Sequence, residues 1–93
     1  LERRLRAGDV AVLDVRGRAE WEAGRIPDVP NLPVGYLPER LDAVPRDKPL
    51  VVHCQSGARS LIAASLLRAR GFTNVINLKG GYGHWQACGN PVE

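Results

Sequence analysis

Cys54 closes an apolar run, Leu50 to Cys54, and is followed by Gln55-Ser56-Gly57-Ala58-Arg59-Ser60. A thiol at the carboxyl end of a buried strand, with a loop leading from it into a helix, lies where open parallel sheets gather their ligands. The backbone N–H groups of Gln55 to Ser60 have no helical partners upstream, so a compact loop can turn several of them toward one point, and the helix dipole favours negative charge there. Gly57 permits the backbone angles such a ring needs, the small Ser56, Ala58 and Ser60 leave its mouth open, and Arg59 sets a fixed positive charge at the rim. These features lower a thiol pKa and make Cys54 a nucleophile in a pocket suited to an anion or an anionic transition state. By residue type alone, a cysteine at a strand end is a small buried hydrophobe. Gly57 and Arg59 turn the reading toward chemistry.

Other side chains with chemical capacity carry less. Asp14 and Arg16, at the end of an earlier strand, point toward the same sheet edge as Cys54. They are expected to support the pocket, Arg16 pairing with Glu20 or Glu22 and Asp14 accepting loop hydrogen bonds. His53 directly precedes Cys54, and adjacent strand residues face opposite sides, so it is a poor base for the thiol and reads as a core or interface histidine. His84 and Cys88 lie four apart on a short helix, but a metal site would need ligands from elsewhere, and no metal is expected. Cys88 could resolve an oxidised or persulfide form of Cys54, yet nothing in the sequence brings the two together, and a partly buried bystander thiol is the simpler reading. Trp21, Tyr82 and Trp85 read as packing residues, with Trp85 also able to border the pocket. Arg25, Arg46 and Lys79 read as solvated charges that could attract an anionic donor.

The elements that must position these residues follow from patterning. Leu1 and Leu5 share a face of a short first helix ended by Gly8-Asp9. Ala11 to Val15 is a strand, and Ala19 to Ala23 a short helix stopped at Gly24. Prolines at 27, 30, 33 and 38 make Arg25 to Pro38 mainly loop, with a short extended piece near Asn31 and Leu32. Leu37, Leu41 and Val44 are spaced for a helix over residues 37 to 44, and Leu50 to Cys54 is a buried strand. Ser60 to Arg70 is a helix whose apolar face, with Leu61, Ile62, Leu66 and Leu67, is wide enough to demand packing on more than one side; Gly71 caps it. Val75 to Leu78 is a further strand, Gly80-Gly81 a tight turn, and Tyr82 to Cys88 a last helix. Strands alternating with helices predict an α/β fold, a small, mostly parallel central sheet flanked by helices on both sides.

Composition sets the outer limits. The chain has 93 residues, 44% hydrophobic and 25% charged, enough for one small domain spanning residues 1–93. Its net charge of +3 comes mostly from arginines crowded into the first third. With few aromatics to stack on bases, that basicity reads as a solvated face with a preference for small anions, and no nucleic-acid partner is expected. No apolar run reaches the length of a membrane span, so no membrane association is expected. Two distant cysteines and no signal-like segment suggest a reducing, cytoplasmic setting. The absence of methionine suggests a piece excised from a longer protein, with a fused or docking partner domain as a consequence.

The chain resembles the rhodanese superfamily over nearly its whole length. The loop C-x-x-G-x-R-S stands at Cys54 to Ser60. L-D-V-R stands at Leu13 to Arg16, E-W-E-x-G-x-I-P at Glu20 to Pro27, and G-F-x-N-V-x-x-L-x-G-G-x-x-x-W at Gly71 to Trp85. The resemblance implies a mostly parallel sheet with helices on both sides and a cofactor-free sulfurtransferase. In such an enzyme Cys54 takes a sulfane sulfur from a small anionic donor such as thiosulfate and passes it to cyanide, a thiol or a protein acceptor. It assigns Cys54 as the catalytic residue and Gln55, Ser56, Gly57, Ala58, Arg59 and Ser60 as the anion-binding loop. Four residues separate Cys54 from Arg59, as in the sulfur-handling members; related phosphatases have five, so phosphatase or arsenate reductase activity is a third reading. The second is a non-catalytic or sulfur-channelling module serving a partner domain. Arg25 replaces the histidine common in G-H-I-P, and Asp28-Val29-Pro30-Asn31 replaces the usual G-A-x-N, which bears on loop shape and partner recognition.

Overall fold

The computed structural model describes residues 8–27, 29–78, 80–89 and 92; the expected first helix, Asp28 and Lys79 lie outside them. Three strands, β1 (Ala11–Asp14), β2 (Leu50–His53) and β3 (Val75–Asn77), form a parallel sheet in the order β1-β2-β3. Ala11 is in register with Leu50, and Leu50 with Val75. The extended piece expected near Asn31 is present as a parallel bridge to Asp14, with Asp14 N–H donating to the Pro30 carbonyl and Leu32 N–H to the Asp14 carbonyl. It covers the free edge of β1 at the end where the site lies.

Both faces of β1 and β2 are buried, as continuous apolar runs require, whereas β3 leaves Ile76 exposed. Leu13, Val15, Leu50, Val52 and Cys54 pack with Ala63, Ala64 and Leu67 of the helix α2 (Ala58–Ala69) and with Leu37. The alternate residues Val10, Val12 and Val51 pack with Tyr82 and Trp85 of α3 (Gly81–Ala87), together with Ile26 and Val29. The two side-chain sets separate at period two, so helices lie on both sides of the sheet, as the sequence predicts. The remaining helix, α1 (Arg18–Ala23), stops at Gly24.

Two expectations need correction. Residues 37 to 44 form no α-helix: Val34–Glu39 and Leu41–Ala43 are 3-10 turns. Pro38, inside the first of them, lacks the N–H that an α-helical ladder needs. Among the described residues helix α2 is packed on one side only, burying Ser60, Ala63, Ala64 and Leu67, while Leu61 and Ile62 are exposed. No helix of the described residues is long and apolar enough to cross a membrane.

Candidate active site

Cys54 follows β2 directly, and the chain then turns through Gly57, which adopts φ 112° before α2 begins at Ala58. That left-handed residue lets the peptide N–H groups converge on one atom. Gly57 N–H donates to Cys54 Sγ at 3.1 Å and Ser60 N–H at 3.4 Å, while the Ser60 hydroxyl lies 3.6 Å from the sulfur. Burial of Cys54, only 1% exposed, pushes its thiol up. The Ser60 hydroxyl and the N–H groups of Ser60, Gly57 and Ser56 outweigh that burial, and the thiol lies below its ordinary pKa.

The outer side of the loop is held by α3. Tyr82 N–H donates to the Cys54 carbonyl at 2.7 Å and Gly83 N–H to the Gln55 carbonyl at 3.0 Å. In a planar trans peptide the N–H points opposite to the C=O, so fixing these carbonyls outward turns the next N–H groups inward, toward the sulfur. This close approach requires glycine at 81: its φ is 57°, and a Cβ there would fall onto the Cys54 carbonyl oxygen. On the inner side, Asn77 at the end of β3 bonds the Ser60 hydroxyl through Oδ1 and donates through Nδ2 to the Gly57 carbonyl at 3.4 Å.

Arg59 stands at the rim, but its charge is already engaged. Its Nη1 and Nη2 form a two-pronged ion pair with the Glu20 carboxylate, the Nη2 bond measuring 2.9 Å. The Arg59 guanidinium, helped by Gly17 N–H and opposed by slight burial, holds Glu20 down to about 2. Gln55, Ser56 and Ala58 are exposed at the mouth.

Arg16 does not pair with Glu20 or Glu22. It is buried with Asp14, its Nη2 2.8 Å and its Nε 3.0 Å from Asp14 Oδ2. Arg16 lies in the irregular segment between β1 and α1, where the carboxylate two residues back is within reach. A buried ion pair is tolerable only when its remaining donors are also used. Nη2 therefore bonds the Gly24 carbonyl at 2.6 Å, Nη1 reaches Gln55 Oε1 at 3.5 Å, and the guanidinium stacks on Tyr82 at 4.3 Å. Arg16 thereby links the sheet edge to the first residue of the cysteine loop. Asp14 Oδ1 also accepts the Arg16 backbone N–H at 2.9 Å.

His53 is fully buried, its Nε2 3.8 Å from Asp14 Oδ2, and neither ring nitrogen has a hydrogen-bond partner among the described residues. Burial, opposed by the Asp14 carboxylate and reinforced by the Arg16 charge, lowers its pKa, so it is a neutral core residue on the side of β2 away from Cys54. Cys88 is exposed, not partly buried, and lies 3.5 Å from His84 Nε2. No third metal-ligating side chain joins them among the described residues. Trp85 is buried in the core under α3. Arg25 and Arg18 stack on Trp21 at 4.1 and 4.3 Å, and Arg46 stacks on Phe72 at 3.8 Å; all three arginines are engaged with rings.

Sequence reasoning missed Glu20, Asn77 and Gly81 as parts of the site. Gly81 was visible as half of a double glycine, and Asn77 as a polar residue ending a strand; nothing local marked Glu20, which is 39 positions from its partner.

Residues 1–88 match the family described as the rhodanese-like domain. The chain belongs to this family. This rhodanese-like domain is 40% identical over 84 residues to a sulfurtransferase of Allochromatium vinosum, covering 90% of this chain and 78% of that one. It is 36% identical to the human thiosulfate:glutathione sulfurtransferase, over 87% of this chain and 83% of that one. A rhodanese-related protein from Thermoplasma volcanium superposes with a TM-score of 0.87 at 34% identity, covering 96% of this chain and 88% of that one.

Proposed function

We propose that this rhodanese-like domain is a sulfurtransferase that loads Cys54 from thiosulfate or a persulfide and delivers the sulfur to a thiol or cyanide. The observation that carries the reading is the pair of backbone donors on Cys54 Sγ, Gly57 N–H at 3.1 Å and Ser60 N–H at 3.4 Å, with the Ser60 hydroxyl 3.6 Å from the sulfur. A thiolate held this way is the attacking species for sulfane sulfur.

In the loading step the Cys54 thiolate attacks the outer sulfur of thiosulfate. A new S–S bond forms, the S–S bond of thiosulfate breaks, and sulfite leaves with that bond's electron pair. Charge is conserved, because one thiolate and one dianion become one persulfide anion and one dianion. The inward N–H groups of the loop hold the negative charge on sulfur throughout, which is the preorganised stabilisation such a step needs. Because Glu20 offsets Arg59, donor anions are held chiefly by these backbone groups, with Arg59 as a secondary attraction. Arg16, Asn77, Gly81 and Tyr82 keep the loop in shape.

The activity test is thiocyanate formation from thiosulfate and cyanide. Cys54→Ser is expected to abolish it and Cys88→Ser to leave it unchanged. Retained turnover in a folded Cys54→Ser protein overturns the reading.

A further inference from the structure

The outward side of α2 is apolar and small, with Arg68 at its edge as the one charge, where a solvent-facing helix side normally carries several. Its buried stripe is Ser60, Ala63, Ala64 and Leu67. At 3.6 residues per turn the opposite side is Ala58, Ile62, Ser65 and Ala69, with Leu61 on its flank next to Arg68; all are exposed, Leu61 at 55% and Ile62 at 63%. This is the second apolar side that the sequence pattern demands and that no described element covers. It begins at the mouth of the site: Ala58 belongs to the cysteine loop, and Leu61 and Ile62 follow Ser60, whose N–H bonds Cys54 Sγ.

We propose that this side of α2 is the docking surface for a protein acceptor that presents its cysteine beside an apolar, acidic segment. The proposal rests on the sulfurtransferase reading and names its acceptor class. Three observations favour that occupant. Leucine and isoleucine beside the mouth give nothing to thiosulfate, cyanide or a small hydrophilic thiol, whereas they bury well against a polypeptide. Arg59 is offset by Glu20, but Arg68, exposed two turns beyond Leu61, meets no carboxylate among the described residues, and the chain carries +3 overall, which complements an acidic segment. The apolar side chains supply only on the order of a few hundred Å², against roughly 800 Å² per partner in a standard stable interface. That size disfavours a second copy in a lasting dimer and suits an acceptor that must leave once loaded. In the transfer, the acceptor thiolate attacks the outer sulfur of the Cys54 persulfide. A new S–S bond forms on the acceptor, the Cys54 S–S bond breaks, and its electron pair returns to Cys54 as thiolate, while any proton on the outer sulfur travels with it.

The test uses persulfide-loaded wild type and the double variant Leu61→Ser/Ile62→Ser, whose side chains are exposed and lie outside the catalytic loop. Transfer rates are measured to free cysteine, to a cysteine peptide carrying leucines and glutamates, and to the same peptide with serine for leucine. The expected result is a loss of roughly tenfold or more in transfer from the variant to the leucine peptide, with free cysteine and the serine peptide served equally by both proteins. Equal transfer from both proteins to the leucine peptide overturns the proposal. So does a dimer in sedimentation that the double variant loses, which would give the face to a second copy. A wild type that takes up no sulfur refutes the sulfurtransferase reading, and docking with it; one that serves free cysteine but shows no preference for the leucine peptide refutes docking alone.

Discussion

Replacing Ser60 by alanine removes one hydroxyl from the immediate surroundings of Cys54 and nothing else from its donor ring, since the Ser60 N–H stays. Among the groups that lower the Cys54 thiol, the Ser60 hydroxyl is the largest, with the three backbone N–H groups behind it and burial opposing them all. A hydrogen bond to an ionised group is worth about 1.5–3 kcal/mol, and about 1.4 kcal/mol corresponds to one pH unit of pKa. The 3.6 Å separation and the surviving N–H donors place this bond at the low end, and its loss should raise the Cys54 thiol. The assay is ultraviolet thiolate absorbance against pH, in a Cys88→Ser background because Cys88 is the other free thiol and is exposed. Alkylation by iodoacetamide below the transition should slow several-fold, because the loss of thiolate fraction outweighs the gain in nucleophilicity of a more basic thiolate. The Ser60 hydroxyl also bonds Asn77 Oδ1 and the Gly57 carbonyl at 3.1 Å. A titration curve that coincides with the parent's would mean that the hydroxyl serves those oxygens instead, and the account of thiolate stabilisation would fail at its strongest donor.

Gly81→Ala should cost on the order of 3 kcal/mol in urea unfolding and lose sulfur uptake, because left-handed strain adds to a clash with loop backbone. Gly71→Ala, also at positive φ but with open space around it, should cost only about 1 kcal/mol; equal losses at the two positions would remove the close approach as the reason for glycine at 81. The buried neutral His53 makes stability depend on pH. Its folded pKa is lowered from 6.5, so between that lowered value and 6.5 the unfolded chain binds the extra proton and stability falls as pH falls. The slope is at most about 1.4 kcal/mol per pH unit, and His53→Gln should flatten it in denaturant titrations over that window; an unchanged slope would place the dependence elsewhere.

The strands were legible because both sides of the sheet are covered: Ala11–Asp14 and Leu50–His53 read as apolar runs whether or not the covering helices are known. The cysteine loop was legible for a local reason too, since six consecutive residues supply its N–H groups, its glycine and its arginine. What the sequence hid is long-range or conformational. Glu20 meets Arg59 only after α1 and α2 are brought to the same pole, and the expected pairing gave Glu20 to Arg16 instead. Arg16 lies in irregular backbone, and it turns back to Asp14. Leu61 and Ile62 carry the signature of a two-sided core helix, and a pattern of apolar residues cannot say whether the second side is covered by this chain or by another.

The central claim is that Cys54 carries a sulfane sulfur. Its most direct test is intact mass after reduced protein is incubated with thiosulfate and the excess removed, with Cys54→Ser and Cys88→Ser alongside. The account predicts a gain of one sulfur atom, released by cyanide, in wild type and Cys88→Ser and absent from Cys54→Ser. No gain in a folded wild type whose Cys54 is free to alkylate, or a gain that persists in Cys54→Ser, would contradict it.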